Sequence, residues 1–290
     1  MSHTSRRDFL KILGMGAVAT ALFDSRLFPR TESLPKIGLQ LYSVRKIIET
    51  DFDRTIRRLA DTGFAGVETY PLPGSVDLVR AGKVIRESGL EVIAMHTPLP
   101  AGEQREVVLR MADAYRSDRV IFPGGPGEVE KYKSLDSRKQ AVESYNEIAA
   151  FLKTRGLRFG LHNHWGEFEK IDGILPFYYL LDNLDREIFF EIDTYWARTA
   201  GRDPAEVLMD FGKRAPLLHI KDGPAVKGES IDEQLPAGLG VMDLPSIVKA
   251  GEGNIEWMIV EFDGYKKDIF DGISLSYAYL TKNGLAESKK

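Results

Sequence analysis

Short apolar runs without helical period alternate along this chain with longer stretches in which apolar residues recur every three or four positions. The two periods separate strand from helix, because side chains repeat every 2 residues in a strand and every 3.6 in a helix. The run Lys36-Ile37-Gly38-Leu39-Gln40-Leu41-Tyr42 predicts a first strand. Residues 53–62 then place Ile56, Leu59 and Ala60 on one face and stop before Gly63, the pattern of an amphipathic helix with a glycine end. Further strands are predicted at 66–69, 91–95, 119–122, 157–162, 188–193, 217–221 and 257–262. Between them, helices are predicted at 76–88, 104–115, 137–155, within 174–183, at 203–213, at 244–250 and at 268–282. Asp203-Pro204 reads as an N-cap followed by the first helical residue.

Strict alternation of strand and helix calls for a parallel sheet. Eight such units over residues 31–290, without an internal linker, match a single-domain α/β fold, the (β/α)8 TIM barrel. An open doubly wound sheet is the competitor, but no glycine-rich dinucleotide fingerprint follows the first strand.

Residues 1–30 read differently. Ser5-Arg6-Arg7-Asp8-Phe9-Leu10-Lys11 precedes a weakly apolar run from Ile12 to Phe23 interrupted by Gly14 and Gly16. A basic segment followed by a short apolar one is an export signal, and the paired arginines before Phe-Leu-Lys resemble a twin-arginine (Tat) signal. The expectation is export through the Tat machinery to the periplasm. Cleavage after Ala19-Thr20-Ala21 and retention as a membrane anchor both stay open.

Of the 290 residues 43% are hydrophobic and 28% charged, and the net charge is −4. No basic stripe offers itself to nucleic acid or anionic lipid, and with no cysteine both disulfides and thiolate chemistry are excluded.

In a barrel of this kind chemistry sits where the strands end, and the predicted strand ends here are rich in ligand-type residues. They supply Glu68, His96, His162 and His164 with nearby Glu167, then Asp193, His219 with Lys221 and Asp222, and Glu261 with Asp263. His162 and His164 are two residues apart in an extended segment and so share a face. Glu191 shares the face of Asp193 and reads as a structural ion-pair partner. Buried charges need partners, and a divalent cation supplies one for such a set. Carboxylates with imidazole suit Mn, Zn, Co or Fe better than Ca.

These residues carry a resemblance. Leu161-His162-Asn163-His164, Glu191-Ile192-Asp193-Thr194-Tyr195-Trp196, His219-Ile220-Lys221-Asp222 and the loop Gly238-Leu239-Gly240-Val241-Met242-Asp243 resemble the xylose-isomerase-like barrel superfamily, in its sugar phosphate isomerase/epimerase branch. The resemblance runs from Gly38 to Asp263. It implies a metal held by Glu, Asp, His and Glu from strands five to eight. Asp193, His219 and Glu261 match the last three, and a histidine, His162, stands where the family carries the first Glu. The implied chemistry is proton abstraction alpha to a carbonyl, shared between two metal-bound glutamates. With one of them absent, Glu261 remains as one base, and His164, Glu167 and Lys221 are the candidates for the opposite face.

The expected activity is metal-dependent isomerisation or epimerisation of a neutral keto-sugar or cyclitol. Elimination, as in keto-glycoside or inosose-type lyases and dehydratases, is the alternative, and an exported non-catalytic sugar-binding barrel is the reading of another class. Glu68, His96, Trp165 and Trp196 are expected to contact the substrate. A base at His164 is expected to titrate near working pH without tuning. The implied partners are a small-molecule carbohydrate and the export machinery, with no nucleic acid and with the membrane reached only through the leader; a homo-oligomer is left open.

Overall fold

Aspartates placed just ahead of apolar stretches decide where the helices start. Asp51, Asp77, Asp203, Asp243 and Asp268 each accept a backbone N–H of the turn that follows, and so satisfy one of the donors a helix leaves open at its N-terminus. In the computed structural model, which describes residues 33–124 and 128–288, these starts separate eight parallel strands that pair in sequence order and close on themselves. The strands are β1 (Lys36–Gln40), β2 (Gly66–Thr69), β3 (Glu91–His96), β4 (Arg119–Phe122), β5 (Arg158–His162), β6 (Phe189–Asp193), β7 (Leu217–Ile220) and β8 (Trp257–Val260). The helices are α1 (Arg45–Ile48), α2 (Phe52–Thr62), α3 (Leu78–Glu87), α4 (Gln104–Tyr115), α5 (Leu135–Lys153), α6 (Pro176–Asn183), α7 (Thr194–Thr199), α8 (Pro204–Phe211), α9 (Leu244–Ala250) and α10 (Ile269–Lys282). The (β/α)8 TIM barrel is thus the observed fold, and Leu34–Lys290 form one unit.

The leader expected over residues 1–30 lies outside the described residues. Among those described, no helix is long and apolar enough to cross a membrane.

Differences from the expected elements have local causes. The first strand stops at Gln40 rather than Tyr42, because the Gln40 side chain accepts the Tyr42 N–H at 3.1 Å and turns the chain into a 3-10 helix. Helix α5 begins two residues early, where Ser134 and Ser137 cap one another. The short helices α1 and α7 were not expected. α7 starts at a residue read only as a ligand: Asp193 Oδ1 accepts the Trp196 N–H at 2.9 Å.

Two apolar regions support the barrel. The larger fills the space between strands and helices, whereas Ile93, Ile121, Phe189, Leu217, Trp257 and Ile259 belong to a separate cluster. Gly160 makes room for it, since a Cβ there would collide with the Phe189 ring. The pairing register then sets ionisable residues side by side: Gln40 pairs with Glu68, His162 with Glu191, and Asp193 with His219.

Candidate active site

Side chains alternate between the two faces of a strand, so residues two apart on β5, β6 and β7 supply the barrel with two stacked levels of polar groups. The first level is Gln40, Glu68, His96, His162, Glu191 and His219, all buried. Glu191 Oε2 lies 2.7 Å from His96 Nε2, 3.0 Å from His162 Nδ1 and 3.2 Å from His219 Nε2. Glu68 Oε2 lies 2.6 Å from His219 Nε2 and 3.2 Å from His96 Nε2, and accepts the Gln40 side-chain amide at 2.6 Å. The second oxygen of each carboxylate, Glu68 Oε1 and Glu191 Oε1, is buried without a hydrogen-bond partner among the described residues.

Two carboxylates so close cannot both be ordinary acids. Burial, then the charge of Glu191, raises Glu68 to about 7. Burial also works to raise Glu191, but the His219 and His96 imidazoles outweigh it and hold Glu191 well below the usual range. His219 is the mirror image. Burial opposes its charge, yet Glu191, Glu261 and Glu68 raise it well above an ordinary histidine. In His162 burial wins, and its value falls well below normal.

The second level is built around Lys221. Its ammonium lies 2.8 Å from Asp193 Oδ2, 2.9 Å from Glu261 Oε2 and 2.7 Å from Asp263 Oδ2, with 1% of the side chain exposed. Burial opposes the charge, but these carboxylates raise the lysine well above its usual value. Burial, against the Lys221 charge, raises Asp193 to about 6. Asn163, on the opposite face of β5 from the histidines, fixes the backbone of Asp193: its Oδ1 accepts the Asp193 N–H at 2.9 Å and its Nδ2 donates to the Asp193 carbonyl at 3.1 Å.

His164 joins this level, its ring centroid 5.1 Å from that of His162. The expected untuned value is corrected here. Burial, then the Lys221 charge, lowers His164 to about 4, so it is neutral at neutral pH, with Nδ1 buried and unpartnered among the described residues. Glu167 Oε2 accepts the His164 backbone N–H at 2.9 Å and so holds the segment in place.

The structure therefore distributes the expected ligands over two groups whose donor atoms lie within 4.8 Å of one another: Asp193, His219 and Glu261, and His96, His162, Glu191 and His219. His162 falls in the second group, its ring centroid 4.7 Å from that of the shared His219. The His162 Nδ1 is turned to Glu191, its register partner on β6, which is thereby an ion-pair partner as its place on the Asp193 face suggests. His219 belongs to both groups, one nitrogen to each. Its Nδ1 faces Glu261 Oε2 at 2.6 Å and Asp193 Oδ2 at 4.0 Å.

Trp165 and Trp196 meet with ring centroids 5.2 Å apart; Trp165 is 38% exposed, whereas Trp196 is buried. Lys221 Nζ lies 5.3 Å from the Trp196 ring centre. Asp222 has a role the sequence reading missed. Its carboxylate accepts the N–H groups of Gly238 (2.9 Å), Gly240 (3.0 Å) and Met242 (3.1 Å), and so knots the glycine-rich loop. The clue was present, because a loop with two glycines and several free amides needs an anion, and an aspartate follows β7.

A model of the xylose isomerase-like TIM barrel matches residues 56–275. Among solved structures, a sugar phosphate isomerase/epimerase from Parabacteroides distasonis is 24% identical with a TM-score of 0.74, covering 89% of this chain and 97% of its own. A probable 3-DHS dehydratase, AsbF, from Bacillus anthracis is 13% identical (TM-score 0.67; 85% and 98% covered). A D-allulose 3-epimerase from Methylomonas sp. is 15% identical (TM-score 0.62; 86% and 98% covered). No curated protein matches the chain. At these identities the solved structures show the shared fold, while the family match spans most of the sequence: the chain belongs to the xylose isomerase-like TIM barrels.

Proposed function

We propose that the protein is a metal-dependent sugar isomerase/epimerase-like enzyme, exported through its leader, that removes a proton alpha to a carbonyl on a neutral keto-sugar or cyclitol. The observation that carries this reading is the two-sided environment of His219. A metal-ligating histidine ordinarily gives its second nitrogen to a carboxylate, which fixes the tautomer and orients the ring. Here Nε2 is 2.6 Å from Glu68, and Nδ1 faces two carboxylates at the mouth side.

Asp193, His219 and Glu261 would then hold the cation, with the level of His96, His162 and Glu191 supporting it. Lys221 already neutralises Asp193 and Glu261, and Asp263 is the partner it keeps if a cation takes the other two. Three protein ligands leave room for substrate oxygen, as in catalytic rather than structural sites. When bound, the cation acts as a Lewis acid toward a carbonyl and its enolate. His164, neutral and with Nδ1 unpartnered among the described residues, accepts the proton, and Lys221 adds positive charge beside the developing oxyanion. Trp165 offers a face to the sugar ring.

A neutral substrate is favoured because Asp222 already occupies the glycine-loop amides that would otherwise cradle a phosphate. Elimination is the second reading. It is favoured by the histidine at position 162, which leaves Glu261 without a matching glutamate from β5.

Metal analysis of protein purified without chelator tests the ligand set. The wild type and Glu191→Gln are expected to retain near-stoichiometric metal, and Asp193→Asn to lose most of it. Retention in Asp193→Asn with loss in Glu191→Gln would move the cation to the histidine-rich group. Turnover on a panel of keto-sugars, against binding alone, separates an enzyme from a sugar-binding barrel.

Metal uptake is also expected to change how stability depends on pH. Glu68, Asp193 and His219 all have folded values raised above their unfolded ones. Their contribution to the metal-free protein is fully present at low pH and is lost as pH rises through those raised values. A cation replaces the protons and their positive charge. The melting-temperature difference between metal-loaded and metal-stripped protein should therefore widen from pH 5 to pH 8, and a difference that narrows would contradict the assignment.

A further inference from the structure

A cavity of about 310 Å³ opens at the opposite end of the barrel, where β3, β4 and β5 begin. Four arginines line it: Arg86 near the end of α3, Arg116 just past α4, and Arg119 and Arg158 at the starts of β4 and β5. Glu91 and Asp118 are the lining carboxylates, so the wall holds two more positive charges than negative ones. Some of that charge is already matched. Arg158 Nε lies 3.1 Å from Asp118, Arg119 pairs with Glu256, and Lys36 lies 3.0 Å from Glu91.

The excess resides on Arg86 and Arg116. Arg86 donates to a neutral group, the Ala114 carbonyl at 2.9 Å, and among the described residues neither Arg86 nor the exposed Arg116 has an ion pair. The backbone of Arg116 is left-handed, with φ 55°, at a helix end where glycine or asparagine is the ordinary choice. Beside it, Ser117 Oγ and Arg119 Nε are buried polar atoms with no hydrogen-bond partner among the described residues. Unpaired charge and unpaired donors thus meet at one cavity.

We infer that this cavity binds a phosphate-type oxyanion, either the free ion or the phosphate end of a small metabolite. A dianion matches the charge excess, and guanidinium forks fit pairs of phosphate oxygens. The position is remote from the strand C-termini where a barrel does its chemistry. The ligand would tie together the starts of three neighbouring strands, and so act on stability by mass action.

The test is thermal unfolding of the full chain in a buffer free of multivalent anions, with ionic strength held constant by sodium chloride. Inorganic phosphate should raise the wild-type midpoint saturably above the chloride control. Arg116→Gln, at an exposed position, should need at least tenfold more phosphate for the same shift, and Arg116→Gln with Ser117→Ala should abolish it. His164→Asn should leave the response intact, which separates this cavity from the catalytic end. Glucose 6-phosphate saturating below inorganic phosphate identifies a metabolite, and equal saturation identifies the free ion. The inference is overturned if phosphate acts no differently from chloride, if the double variant keeps the response, or if His164→Asn loses it.

Discussion

Replacing His164 with asparagine is expected to leave the metal in place and to lower kcat about 10²-fold on the keto-sugar that the panel identifies, the lower part of the range for a general acid–base group. The magnitude follows from the environment. Burial and the Lys221 charge bring the imidazole to about 4, which keeps it unprotonated near neutral pH but makes it a weaker base than a free histidine. A base of that strength contributes less driving force to proton transfer than one titrating near neutrality. The same environment predicts the pH profile. The wild-type rate should show no inflection from His164 between pH 5 and pH 8, because the group loses its proton below that window. An unchanged kcat in His164→Asn would remove His164 from the reaction. Loss of metal in that variant would place it among the ligands instead.

Lys221→Met is expected to destabilise the metal-free protein by about 3–5 kcal/mol, the usual result of removing one partner from a buried ion pair. Three carboxylates lie within 2.9 Å of the ammonium, and none of their charge is relieved by the methionine. A divalent cation supplies charge to two of the three, Asp193 and Glu261. The loss measured by denaturant titration should therefore be smaller in the metal-loaded variant than in the stripped one. Equal losses in the two states would show that the cation does not share those carboxylates.

The barrel was legible because its strands and helices differ in hydrophobic period and because aspartates and glycines mark the helix ends. Most of the candidate site was legible for a related reason: ligand-type residues at strand ends stand out against apolar strands. What escaped the sequence was set by pairing between strands distant along the chain. The turning of His162 toward Glu191 follows from the register of β5 with β6. The bond from Gln40 to Glu68 follows from that of β1 with β2. Periodicity assigns a residue to a face but not to a neighbour. The value of His164 escaped for a second reason, since burial lowers it first and the Lys221 charge that adds to this lies 57 positions further along the chain.

We propose that this barrel uses a cation at Asp193, His219 and Glu261 to remove a proton alpha to a carbonyl. Proton NMR of a keto-sugar panel in deuterium oxide, with metal-loaded and metal-stripped protein, tests it most directly. Deuterium is expected at the carbon beside the carbonyl of at least one neutral keto-sugar, with exchange abolished by stripping the metal and restored by adding it back. Turnover without deuterium incorporation at that carbon, or exchange that continues undiminished in the stripped protein, would contradict it.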